Sequence, residues 1–534
     1  MKKKVLAMVL TGMMSITALA GCAIPAQTGS TAETAAEEAA AVTVQEAAVP
    51  ETNVTAKMDE LTTIKFFISD NNGASSAKVK EIEDAVNAIT EAKINVHVDL
   101  TSSDWASFMN AVPLALASGE QIDVVAVQPV APMTLSSLYA NNQVMDLSPY
   151  LEEYGPDILA VAGDYLDAVT INGEICMVPN VRNYAASEYL VMAQEYIDGL
   201  GLKEQFDNIE TTEDLEAVLK AVTEEYGIPA LAGGMSEDAR VLVHGSGGMI
   251  LNANGSFEDS LLYDTGGDNL NVLGIDEETD TVYNIYETQE FIDACKITKE
   301  WYEKGYIFKD AAFSSEAQES ICKANAAAGI ITTGEISVGA NKSAAFGKPV
   351  YVKKLKDALI TSNAVYRFGL SVPSTAAEPE AAVCFINLLM TDSDLNNTLF
   401  WGIEGEDWQV GEDGHAEYLP GQDNAEWHLF DFYFGNAYVD TPWSGAPEHS
   451  DEKEANDAAE ISKYLGFSLD TSNQTNNIAA LTSVMNQYQF SLALGLWSEE
   501  SYDEFIEKMK AAGIDEYLAD AQQQLDAWLA QKGE

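Results

Sequence analysis

The chain has 534 residues and a formal net charge of −57, from 28 Lys and Arg against 85 Asp and Glu. That balance excludes nucleic acid and anionic lipid surfaces as natural partners, because both repel a polyanion. An apolar share of 47% is that of a globular protein, and the length suits two lobes better than one core.

The first stretch reads Lys2-Lys3-Lys4, an apolar run from Val5 to Ala20, then Leu19-Ala20-Gly21-Cys22. A basic end, a short apolar core and small residues before a cut site make a secretory signal peptide over residues 1–21. The run is broken by Thr11, Gly12, Ser15 and Thr17, which argues against a retained spanning helix. The Leu-Ala-Gly-Cys ending resembles a bacterial lipobox, in which the cysteine is acylated and becomes the new N-terminus. Cys22 is then a lipid anchor on the outer face of the cytoplasmic membrane. The alternative is an ordinary secretory signal that contains a cysteine. Residues 22–60 hold no aromatic side chain and several carboxylates, so they read as a disordered tether. A flexible coil of that length spans roughly 35 Å.

From Leu61 onward the pattern is globular. Ile64 to Ile68 is a short strand stopped by Ser69-Asp70-Asn71-Asn72-Gly73. Ala77 to Ala92 is a helix with Val79, Ile82, Val86 and Ile89 on one face. Ile94, Val96, Val98 and Leu100 alternate as a second strand. Asp104 opens a helix carrying Trp105 and Phe108, and Ile122 to Val127 is a third strand ended by Gln128-Pro129. Strand–helix–strand order implies right-handed crossovers and a parallel sheet, whose ligands meet the carboxyl ends of the strands. Asp70, Asn71 and Gln128 are candidates by that position, and Trp105 follows a strand end. The plainer readings are an Asn/Asp/Gly turn and a tryptophan packing its own helix.

Three motifs of catalysis are missing from the sequence: a G-x-S-x-G elbow, a phosphate-binding G-x-x-x-x-G-K-[ST] loop and an H-E-x-x-H pair. The five histidines are scattered, and 85 acids make any carboxylate pair uninformative. Cys176, Cys295, Cys322 and Cys384 follow no zinc or redox spacing and read as buried thiols, with room for one disulfide. Asp264 to Asp280 reads as an exposed acidic loop, with a calcium site as the alternative. The C-terminal half carries Trp401, Trp408, Trp427, Phe430, Phe432, Tyr433, Phe434, Tyr438 and Trp443, interspersed with Glu404, Asp431 and Asn436. Flat rings beside carboxylates and amides suit the faces and hydroxyls of a sugar. Trp401, Glu404 and Trp443 are the candidates there; the plainer reading of each ring is core.

Three motifs carry a family resemblance: Ala117-Ser118-Gly119-Glu120-Gln121-Ile122-Asp123-Val124, then Val144-Met145-Asp146-Leu147-Ser148-Pro149-Tyr150-Leu151, then Asn172-Gly173-Glu174-Ile175-Cys176-Met177-Val178-Pro179. Their order resembles the family 1 extracellular solute-binding proteins of ABC importers, with Cys176 standing where that family usually has Tyr. Trp401-Gly402-Ile403-Glu404-Gly405-Glu406-Asp407-Trp408 and Gln522-Gln523-Gln524-Leu525-Asp526-Ala527-Trp528 resemble its large polysaccharide-type lipoprotein subgroup.

The resemblance implies an α/β, two-lobed periplasmic-binding-protein-like (type II) fold with doubly wound sheets and a helical C-terminal extension. Residues 61–180 plus 326–373 would form lobe one. Residues 181–325 plus 374–534 would form lobe two with its extension. Arg182 and Tyr184 lie at the hinge this implies. The function implied is a lipid-anchored, monomeric binding component that needs no cofactor, metal or catalytic residue. It would hold an oligosaccharide between the lobes and deliver it to permease subunits. The rivals are a surface glycoside hydrolase and a peptide-binding or sensory lipoprotein.

Overall fold

The computed structural model describes residues 55–70, 73–233, 251, 255–257, 261, 263–268 and 270–532. Cys22, residues 23–54 of the tether and Asn71 lie outside the described residues; residues 55–60, expected as the end of the tether, are instead docked on lobe one, with Ala56 in its core and the Met58 amide donating to the Ile94 carbonyl (3.0 Å). The chain begins with β1 (Thr62–Asp70) and α1 (Ser76–Ile94). α1 starts where the Ser75 side chain accepts from the Lys78 amide, and it ends at a left-handed Asn95. β2 (Val96–Asp104) leads into α2 (Trp105–Ser118), capped as expected by Asp104, and then β3 (Val124–Val127). β4 (Val178–Pro179) precedes the first departure to the other lobe.

There the chain forms β5 (Ser187–Ala193) and α3 (Thr212–Tyr226), whose capping box pairs Thr211 with Asp214. α4 (Gln289–Glu303), β6 (Gly329–Gly334) and β7 (Val350–Lys356) follow. β8 (Gly369–Ser371), α5 (Pro379–Leu389) and α6 (Ser393–Trp401) return to the first lobe. The C-terminal part holds α7 (His449–Ala458), α8 (Thr475–Ser491), α9 (Glu499–Ala511) and α10 (Ile514–Lys532).

The first sheet has the order β2-β1-β3-β8-β4. β1 runs parallel to β2 and β3, and β8 runs antiparallel to β3 and β4. The second sheet, β6-β5-β7, is antiparallel throughout. The two-lobed α/β architecture with a helical C-terminal extension is the expected one, but two segments change lobe. Strand 329–334 pairs with 187–193, Gly329 opposite Met192 and Gly334 opposite Ser187, so it belongs to lobe two and not to lobe one. Residues 374–434 belong to lobe one and not to lobe two: Ala381 through Ile386, Leu399, Trp427 and Phe434 share a core with Phe66, Val98 and Val124. The second core joins Leu190, Trp301 and Ile330 to Met485, Tyr517 and Leu525, so the extension completes lobe two.

The chain therefore crosses between cores three times: between Val181 and Leu190, between Leu355 and Leu370, and between Phe434 and Tyr464. A small cluster of Ala168, Tyr184, Ile360, Val365 and Leu465 packs where the crossings meet. Asn456 of α7 ties them: its Oδ1 accepts from the amides of Tyr184 (2.7 Å) and Ala185 (3.0 Å). Its Nδ2 donates to the Arg182 carbonyl (2.6 Å) and to Tyr438 Oη (2.9 Å).

The acidic stretch from Asp264 is not the exposed loop its composition suggests. Asp264 and Asp268 are buried. Asp268 accepts from the amides of Leu270 (2.9 Å) and Val272 (2.8 Å) and from Tyr517 Oη (2.7 Å), which staples the turn to α10. Burial pushes both carboxyls up; these donors work against it at Asp268, and the Ser462 hydroxyl and Gly266 amide do so at Asp264. Among the described residues of the stretch, those from Asp276 to Thr281 are largely solvent-facing.

Candidate functional site

A cavity of about 310 Å³ opens where the three crossings meet. Arg182 and Asn183 come to it on the first crossing, and Arg367 and Phe368 on the second. Glu335 reaches it from lobe two, just beyond β6. Asp431, Phe432 and Ala437 come from the late segment of lobe one, and Glu452 from α7. Both lobes and every crossing thus contribute a wall.

Charges of both signs line the wall, some paired with an opposite charge and some beside a like one. Arg182 Nη1 donates to Glu335 Oε1 (3.1 Å) and to the Asn183 carbonyl (2.9 Å), and Nη2 to the Ala364 carbonyl (3.4 Å). Loss of water pushes the Glu335 carboxyl up, and Arg182 opposes this. Burial and then the neighbouring Glu452 push Asp431 up to about 6, against the pull of His449. His449 opens α7 with Nε2 on Asp440 Oδ1 (2.9 Å) and Nδ1 on Glu452 Oε2 (3.4 Å). Burial alone would lower its pKa; the bonds to Asp440 and Glu452 outweigh burial and hold it up at about 10. Asn183 is buried and accepts from the Ala185 amide (3.0 Å) through Oδ1. Its Nδ2 has no hydrogen-bond partner among the described residues.

Rings supply the flat side. Phe430 stacks on Phe432 with centroids 4.9 Å apart and planes 11° off parallel, and Phe368 meets Phe432 at 5.3 Å. The row continues away from the cavity through His428 (6.3 Å from Phe430), Trp443 (4.5 Å from His428) and Tyr418 (4.8 Å from Trp443). Donors, acceptors and apolar faces side by side suit a polyhydroxylated ring.

Of the residues singled out by sequence, Arg182 lines this cavity. Tyr184 stands behind it: its ring lies 5.4 Å from the Arg182 guanidinium, its hydroxyl donates to the Asn180 carbonyl, and it is buried. Trp443 is half-buried and packs 5.0 Å from Trp401, which is buried with Nε1 on the Thr441 carbonyl (3.0 Å). Glu404 is exposed on the turn after α6, away from the cavity wall. Asp70 is buried at the end of β1, where it accepts from the Ala74 amide (3.1 Å) and Ser102 Oγ (2.7 Å) and so holds the turn. Gln128 is buried, and neither atom of its amide has a partner among the described residues. Trp105 is half-buried in the first turn of α2 and is not part of the wall.

Glu335, Arg367, Phe368, Glu452 and His449 escaped the sequence reading. Two signals pointed to some of them. Glu335 follows the carboxyl side of a short apolar strand, the position already applied to lobe one. The chain has only three arginines, Arg182, Arg240 and Arg367, and two of them meet at this cavity. A chain that otherwise uses lysine reserves the planar, five-donor group for this place.

Residues 84–402 match the family model described as bacterial extracellular solute-binding protein, and residues 463–530 match a domain of unknown function (DUF3502). A carbohydrate ABC transporter substrate-binding protein of Streptococcus pneumoniae is 24% identical over 455 residues, 84% of this chain and 87% of that one. A polygalacturonan/rhamnogalacturonan-binding protein of Bacillus subtilis is 23% identical over 351 residues, 63% of this chain and 64% of that one. Among solved structures, the N-glycan transport solute binding protein of Streptococcus pneumoniae superposes with a TM-score of 0.70 at 22% identity, over 88% of this chain and 100% of that one. Since the solute-binding model spans more than half of the sequence, the chain belongs to the bacterial extracellular solute-binding protein family.

Proposed function

We propose that this chain is the lipid-anchored binding component of an ABC importer, and that it holds an oligosaccharide in the hinge cavity and hands it on unaltered. The observation that carries the reading is the cavity itself, whose wall is shared by both lobes and all three crossings. A ligand touching both lobes favours whichever lobe arrangement makes the most contacts, and that arrangement is what a permease would recognise. Arg182, Asn183, Glu335 and Asp431 pair with hydroxyls, while Phe368 and Phe432 cover a sugar face. Trp443 extends the ring row for further sugar units, with Trp401 behind it. Tyr184 steadies Arg182. Asp70, Trp105 and Gln128 near the strand ends of lobe one and Glu404 on the turn after α6 are candidate contacts for further sugar units. The names of the two relatives, which concern carbohydrate, support the ligand class. The basic, apolar and Leu-Ala-Gly-Cys order of residues 2–22 supports acylation at Cys22.

A thermal-shift screen of the full chain against neutral oligosaccharides and peptides tests this. A glycan at 100 times its Kd is expected to add roughly 2.7 kcal/mol, and Asp431→Asn to remove most of that gain. Mass spectrometry should recover the glycan at its original length. No response to any glycan, or a shortened product, would refute the reading. Cys22→Ala is expected to move the protein from the membrane fraction to the medium.

A further inference from the structure

The cavity's basic groups are already engaged, and its acidic groups are not all matched. Arg182 is bonded to Glu335 and to the Asn183 and Ala364 carbonyls. Arg367 also acts on Glu335. Asp431 accepts from the Phe432 amide and faces Glu452, and no basic side chain is bonded to its carboxyl among the described residues. We propose, building on the sugar-binding reading above, that the cavity selects by charge: it admits neutral glycans and excludes those carrying uronate carboxylates, with Asp431 and Glu452 as the specificity-determining residues.

A neutral sugar offers hydroxyl donors that satisfy Asp431 and Glu452 without adding charge. A uronate has two seats, and both are unfavourable. Beside Asp431 and Glu452, which have the His449 cation near them, it adds a third carboxylate to a partly enclosed site. Beside Arg182 it must displace Glu335, which then stands unmatched. Recognition of acidic glycans needs free planar cations, and the sequence supplies only one arginine besides these two. The relative named for polygalacturonan and rhamnogalacturonan binds an acidic polymer; this cavity is built against one.

The test is calorimetric titration of the full chain with cellotriose, maltotriose, mannotriose and galactotriose, each beside its C6-oxidised form. At least one neutral trisaccharide is expected to bind, with its oxidised counterpart at least about tenfold weaker, as like charges in contact require. The gap should persist in 0.5 M salt, which screens the distant field of the chain but not a buried neighbour. Asp431→Asn and Glu452→Gln should each narrow the neutral-to-oxidised ratio, whatever they do to neutral binding itself. Equal or tighter binding of the oxidised form, a gap that vanishes in salt, or an unchanged ratio in both variants overturns the inference and leaves the sugar reading standing. Failure of every sugar to bind overturns the sugar reading, and the inference with it.

Discussion

His428 packs against both Trp401 and Trp443, with ring centroids at 5.1 and 4.5 Å, and burial holds its pKa down to about 4. In the unfolded chain the imidazole titrates near 6.5. Below about pH 6.5 the unfolded state takes up a proton that the folded state refuses, so stability falls as pH falls toward 4. The slope approaches about 1.4 kcal/mol per pH unit. His428→Phe keeps a ring in the stack and removes the titration. Thermal unfolding at pH 7 and pH 5 should show a smaller drop for the variant than for the parent. An equal drop would mean that His428 is not the group responsible. At this scale the sequence was legible where a residue type is rare and opaque where it is common. Arg182 could be picked out, but Glu335 and Glu452 were lost among 85 acids. Rings gave a mixed result, since nothing local separates the buried Trp408 and Trp427 from the half-buried Trp443.

The short helix α7 is polar along most of its length, yet Asn456 on it is buried and holds four partners across the hinge. Asn456→Ala leaves the Tyr184 amide and the Arg182 carbonyl unpaired, while the Ala185 amide keeps Asn183 Oδ1, with an expected loss of about 2–4 kcal/mol in denaturant unfolding. Because those groups flank Arg182 and Asn183, glycan affinity should fall in the same variant. Loss of stability with unchanged affinity would separate the helix from the site. Most elements were legible: β1, α1, β2 and the capped start of α2 follow from alternation, helical spacing and Asp104. Lobe membership was not. β6 and β8 are both brief apolar runs, and a brief run does not say which sheet it joins. Pairing with β5 in one case and with β3 and β4 in the other is decided by long-range packing.

At the level of the molecule, −57 charges act together. Raising ionic strength from 0.01 to 0.15 M shortens the screening length from about 30 to about 8 Å. Relief of self-repulsion should raise Tm by about 2–4 °C, read by calorimetry at pH 7. No rise would mean that local pairs such as Lys78 with Asp407 (2.6 Å) already neutralise the repulsion that matters. Class, charge and two-lobed build were all readable from sequence, because each is a sum over many residues and tolerates local error. The order of segments has one more consequence. Lobe one lacks β8, α5 and α6 until residue 401 has been made, and lobe two lacks Tyr517 and Leu525 until residue 525 has been made. Lobe one can close only once the chain up to Phe434 is present, and lobe two only once the helix carrying Leu525 is present. The interleaving thus delays compaction, and it makes the segment from Tyr464 to Leu529 the keystone without which the second half stays open to proteases.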